Sequence, residues 1–205
     1  MIKVVIFFSY FYFFLYSVLG YGFIFQNYVI KKKINQFYIG FLGAALVTTI
    51  SYFTIFYFYH GFAHNIVIHT IGFGYFLYSY FKDENKKYIK NITLISFIFL
   101  SLILISKTHD DFAYYHLTFT KYLTENHIIF GMGHLNHGYN LPSSLFYLNS
   151  TFYFPLIKFY SFHYINVFFL IFFNYFLIYQ IFVKNNILIP KLISILAIIF
   201  FNLSF

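Results

Sequence analysis

The chain is predicted to be all-α: a polytopic integral membrane helix bundle with an external loop containing amphipathic interfacial helices. Three observations predict this. Of 205 residues, 61% are hydrophobic and only 9% charged, against roughly 25% charged in a soluble domain, so lipid is the expected solvent for most of the surface. Apolar runs near the ~20 residues that a helix needs to cross ~30 Å of hydrocarbon recur along the chain. The lysines fall in short clusters between those runs, as membrane-flanking charges do.

The first span is Val4–Phe25; it follows Lys3 and shows no small-residue cleavage site, so it reads as a retained span and not a removed signal. Lys31, Lys32 and Lys33 come next, then Ile39–Tyr59 and Phe62–Phe81 on either side of the turn His60–Gly61. The loop Lys82–Lys90 is charged. Ile92–Ser106 is shorter and gains length if Lys90 snorkels. A polar external loop, 107–158, precedes Phe159–Val183, and Ile187–Phe205 is the last span. Asn166 and Asn174 inside the fifth span are expected to bond between helices. Ser143–Leu156, at 14 residues, is short for a crossing and is expected to be interfacial or re-entrant.

Eight of the thirteen lysines lie at 31–33, 82–90 and 184–186, alternating in parity with the polar loop. The positive-inside bias puts those clusters in the cytoplasm and 107–158 outside. The last apolar run reaches the chain end without a polar cap, so the sequence reads as the N-terminal part of a longer protein. Without internal repeats or a low-complexity linker, 1–205 is expected to be a single membrane domain. The formal charge of +8 forms no basic face, which argues against nucleic acid as a partner; the bilayer is the expected one. The absence of cysteine excludes disulfides and thiolate metal sites.

The polar loop concentrates the ionisable groups. It holds Asp110, Asp111 and Glu125, three of the five acids, and His109, His116, His127, His134 and His137, five of the nine histidines. Phe112, Tyr115, His116, Phe119, Tyr122 and Leu123 follow helical spacing, with Thr118, Lys121, Thr124 and Glu125 opposite, as in a helix lying flat in the headgroup region. One aspartate at its start would serve as a helix cap. The second of an adjacent pair is then available as a general base or a ligand for a divalent cation, Mg2+ or Mn2+. Further on, Gly131, Gly133 and Gly138 with Pro142 mark an ordered loop. There His134, His137 and Asn140 are candidate substrate- or phosphate-binding groups; two histidines without a third ligand argue against zinc. His60, His64 and His69 read as interfacial.

The stretch HDDFAYYHLTFTKYLTEN, followed by GHLNHGYNLPSSLFYLNS, resembles the GT-C glycosyltransferases. These are polytopic enzymes that use polyprenyl-phosphate-linked sugars, and include the protein mannosyltransferases, aminoarabinose transferases and Rgt-type sugar transferases. In that family an acidic residue of the first large external loop lies at the catalytic centre, which falls here on Asp110 or Asp111. Tyr115 and His116 look similar to the aromatic and histidine positions after that acid. The resemblance implies sugar transfer from a polyprenyl-phosphate donor to a glycan, lipid or protein acceptor. It also implies a multi-pass protein of the bacterial inner (plasma) membrane. His109, Tyr115, His116, Lys121, His134, His137 and Asn140 would then contact substrate. The chain departs from the family in having four spans before the loop and no arginine, so Lys107, Lys121, a histidine or a metal ion would have to hold the lipid phosphate.

Two other functions compete. A transporter or flippase of lipid-linked or anionic substrates would place ionisable residues midway through spans, where this chain has little beyond His69 and Lys191. A non-catalytic assembly subunit would use the loop as a docking surface.

Overall fold

In a computed structural model the chain is all-α, and residues 2–82, 85–100, 111–134, 136–140, 142–182 and 188–203 are described. The helices are α1 (Ile2–Ile24), α2 (Tyr38–Thr54), α3 (Phe62–Phe81), α4 (Lys86–Phe99), α5 (Leu117–Glu125), α6 (Ser144–Thr151), α7 (Tyr164–Phe182) and α8 (Leu188–Leu203). A π-helical turn, Phe25–Ile30, prolongs α1, and another, Phe112–His116, leads into α5. Two helical stretches, Lys3–Ile30 and Phe159–Phe182, are long and apolar enough to cross a membrane. Lys107, His109 and Asp110, and the end of the fourth expected span, lie outside the described residues.

α1 is the hub. Its backbone approaches α3 so closely that a Cβ on Gly20 would fall 1.8 Å from the Gly72 carbonyl oxygen, and one on Gly43 of α2 would fall 1.9 Å from that of Val18. Small residues at such crossings let helix backbones touch where there is little hydrophobic driving force to join apolar helices. Around the hub, Phe11, Phe14, Phe152, Phe168 and Phe172 are buried in one aromatic core, and the Tyr164 hydroxyl donates to the Phe7 carbonyl at 2.8 Å. Asn174 does bond between helices: Asn202 Nδ2 of α8 donates to its Oδ1 at 2.9 Å.

The contacts set two ends apart. Lys31, Lys32, Lys33, Lys82 and the start of α4 surround one end. At the other, the α2–α3 turn, α5, the loop 126–143 and α6 form a crown around Ile55, Phe119, Leu123, Met132, Phe146 and Tyr147.

Two expectations are corrected. α2 ends at Thr54 and not at Tyr59, because the chain turns to let His60 N–H donate to the Leu123 carbonyl at 2.8 Å. The buried face of α5 is Phe119, Thr120, Leu123 and Thr124. Thr124 was expected on the polar side, but its hydroxyl is satisfied within the helix by the Lys121 carbonyl at 2.7 Å. The preceding π turn breaks the 3.6-residue register, which leaves Phe112 and Tyr115 only half-buried. Within the stretch Ser143–Leu156, α6 buries Phe146, Tyr147, Leu148, Ser150 and Thr151 in protein.

Candidate functional site

The crown gathers part of the expected site. Asp111 opens the described run into α5, and its carboxylate makes no helix-capping hydrogen bond. About one turn along, the Tyr115 ring packs against Gly138, where a Cβ would come within 2.7 Å of it. Glycine is needed there for close approach, and that contact draws the loop 131–140 up to the acidic end of the helix. His116 is half-buried, its ring 4.3 Å from Tyr115 and 4.9 Å from Phe146.

The loop itself is held by short bonds. Asn136 Oδ1 accepts from Gly138 N–H at 2.9 Å, the Tyr139 hydroxyl donates to Thr118 Oγ1 at 2.9 Å, and Asn140 Nδ2 donates to His137 Nδ1 at 3.1 Å. His134 and Asn140 line a recess of about 310 Å³ with Phe119, Phe130, Tyr139 and Tyr147. Burial, with Tyr52 beside it, pushes the Tyr147 phenol up to about 12, so it remains a neutral hydrogen-bonding group. Aromatic walls with amide and imidazole groups can stack and hydrogen-bond a small polyhydroxylated ligand.

Lys121 lies apart from this group. Its ammonium pairs with Glu125 at 3.9 Å and sits 5.8 Å from the Phe159 ring, so it points to the far side of α5. Among the described residues no three His, Asp or Glu side chains gather as a metal seat. Asp111 alone does not make one, and Asp110 and His109 lie outside the described residues.

Two features were not expected from the sequence. His163 stacks on Phe112 at 5.2 Å, which brings an imidazole from about a quarter of the chain away beside the acidic end of the α5 run. The histidines of the α2–α3 turn and α3 are more enclosed than expected: His60 and His69 are fully buried and His64 is half-buried. His69 is bonded at both ring nitrogens, Nδ1 to Ser17 Oγ at 3.0 Å and Nε2 to the Thr151 carbonyl at 3.1 Å. His60 Nδ1 bonds Ser150 Oγ at 2.5 Å, and its ring stacks on His64 at 4.7 Å. The four-residue spacing of His60 and His64 was visible; the α6 partner of His60, Ser150, was not.

Fold and site together define an all-helical protein with membrane-crossing candidates and a histidine-rich crown at one end. Residues 1–205 match the family described as Domain of unknown function (DUF8201), and the chain belongs to that family. No curated protein and no solved structure matches it.

Proposed function

We propose that the protein is a polytopic membrane glycosyltransferase of the GT-C type. It moves a sugar from a polyprenyl-phosphate donor to an acceptor at the outer face of the membrane. One observation carries the proposal: Tyr115 holds the His134–Asn140 loop within about a turn of Asp111, so carboxylate, imidazoles and amide share one end of the bundle. Asp111 or Asp110 takes the acceptor's proton as the acceptor attacks the anomeric carbon, and the lipid phosphate departs with the bonding pair. His134 and Asn140 bind the sugar or phosphate in the loop recess, with His137 holding the Asn140 amide.

The bonding of His69 supports a surface-facing site over a translocation path. Both of its nitrogens serve to tie α1, α3 and α6 together, leaving it engaged in structure at the place where a transporter would need an exchangeable group. Replacing Asp110 and Asp111 together by Asn in the full-length protein should lower sugar transfer from a radiolabelled polyprenyl-phosphate sugar at least about 100-fold, the usual scale for a lost general base. Unchanged transfer at normal expression would remove both aspartates from the chemistry.

A further inference from the structure

We infer that Thr54, His64 and Asn65 form a second reactive centre, a hydroxyl–imidazole–amide relay that cleaves esters of apolar acids. It is independent of Asp110 and Asp111. The order of its hydrogen bonds is fixed from one end. Asn65 is fully buried, and its Nδ2 donates to the carbonyls of His60 at 2.8 Å, Ser150 at 2.9 Å and Tyr153 at 3.1 Å. That leaves Oδ1 as acceptor, and His64 Nδ1–H donates to it at 2.9 Å. The unprotonated nitrogen of His64 is therefore Nε2, which stands 2.9 Å from Thr54 Oγ1. Nucleophile, base and orienting group stand in series, an arrangement recognised by geometry and not by sequence order.

The behaviour of the neighbouring threonines separates this from ordinary helix chemistry. Thr48 and Thr49 return their protons to the carbonyls of Ala44 and Ala45 at 2.8 and 2.9 Å, as hydroxyls in helices do. Thr54 lies 3.4 Å from the Ser51 carbonyl and 3.4 Å from His60 Nε2, so its shortest bond is the 2.9 Å one to His64. Thr54 and His64 also border an apolar recess of about 580 Å³ whose walls include Tyr57, Tyr59, Val67 and Ile68, a fit for an acyl chain. Ala63 borders the same recess. It belongs to the first turn of α3, which no side chain caps; first-turn N–H groups lack intrahelical acceptors and suit a developing oxyanion.

In the acylation step Thr54 Oγ1 bonds to the ester carbonyl carbon while His64 Nε2 takes the hydroxyl proton. The bond from that carbon to the alcohol oxygen then breaks, and the alcohol leaves with the proton from His64. Water attacks the Thr54 ester and gives its proton to His64, which returns it to Thr54 as the acid departs. Ester and water thus become acid and alcohol. Thr54 and His64 are the catalytic residues; Asn65 is a positioning residue.

The test incubates the purified full chain in detergent with the p-nitrophenyl ester of a medium-chain fatty acid, quenches it, and maps acyl adducts by peptide mass spectrometry. An adduct on Thr54 is expected, kept by Thr54→Ser and lost in Thr54→Ala. His64→Ala should slow acylation at least about 100-fold, with part of the rate restored by free imidazole, an effect that a purely structural histidine would not show. Asn65→Ala should lower the saturated acylation rate while leaving the half-saturating ester concentration unchanged. Asn replacements at Asp110 and Asp111 should abolish sugar transfer but leave the rate of Thr54 acylation as in the wild type, which keeps the two results separate. Absence of a Thr54 adduct in the wild type, or equal acylation of Thr54→Ala and wild type, would overturn the relay.

Discussion

At the scale of single residues, His60 shows how burial makes a side chain sensitive to acid. An ordinary imidazole titrates near 6.5. Burial first, then the neighbouring His64, push His60 down to about 3, while the Ser51 carbonyl acts the other way. On acidification the unfolded chain therefore takes up this proton before the folded one does. The stability that a neutral His60 contributes is fully present above about pH 6.5 and is lost as pH falls toward about 3. His60→Gln should lower the thermal midpoint at neutral pH, since Ser150 loses its imidazole partner, and should flatten the decline between those two pH values. Circular dichroism melts in detergent across that range would measure it; an unaltered decline would mean that His60 is not the group responsible. His60 also marks the limit of sequence reading at this scale. Its presence was plain, but its partner Ser150 is 90 residues away, and no local pattern announces such a contact.

Helices were legible where one physical signal dominated. Long apolar runs gave α1, α3 and α7 close to their observed ranges, because hydrocarbon-length hydrophobicity needs no knowledge of neighbours. Boundaries set by tertiary bonds were not legible: α2 stops short because His60 N–H is drawn to Leu123. The site was legible in the same uneven way. The loop residues His134, His137 and Asn140 do come together, whereas Lys121 turns toward Glu125 and Phe159, on the polar face that helical spacing gave it and away from the loop that the resemblance would have it serve. Helix packing supplies its own prediction. Gly72→Leu on α3 would drive a side chain into Ser17, whose Oγ already lies 2.5 Å from the Cβ position. It should separate α1 from α3, break the Ser17–His69 bond and destabilise by about 1–3 kcal/mol or more. Gly74, two residues on, has nothing within 4 Å of its Cβ position, so Gly74→Ala should be neutral or stabilise by up to about 1 kcal/mol through helix propensity. Unfolding midpoints of the two variants, measured side by side in detergent, should move in opposite directions or differ clearly; equal shifts would mean the crossing is not tight.

For the whole molecule the question is which end faces which compartment. The two ends differ in chemistry as well as position: lysines from the α1–α2 connection and the end of α3 surround one, and the aromatic, histidine-rich crown closes the other. If the bundle spans a bilayer, the lysine end belongs in the cytoplasm, and the crown then meets substrates at the outer face, as the proposed sugar transfer requires. The chain contains no cysteine, so a single introduced thiol reports its own location without background. Phe130, 90% exposed at the crown's loop tip, and Lys32, exposed at the other end, are the two positions to compare. In intact cells Phe130→Cys should react with a membrane-impermeant maleimide, and Lys32→Cys should react only after permeabilisation. Reaction of both from outside would mean the two ends share a compartment and the bundle does not cross. The reverse pattern would place the crown in the cytoplasm, away from an externally presented acceptor, and would end the outer-face mechanism. The acylation chemistry at Thr54 would survive that result, because its relay needs only water and an apolar ester.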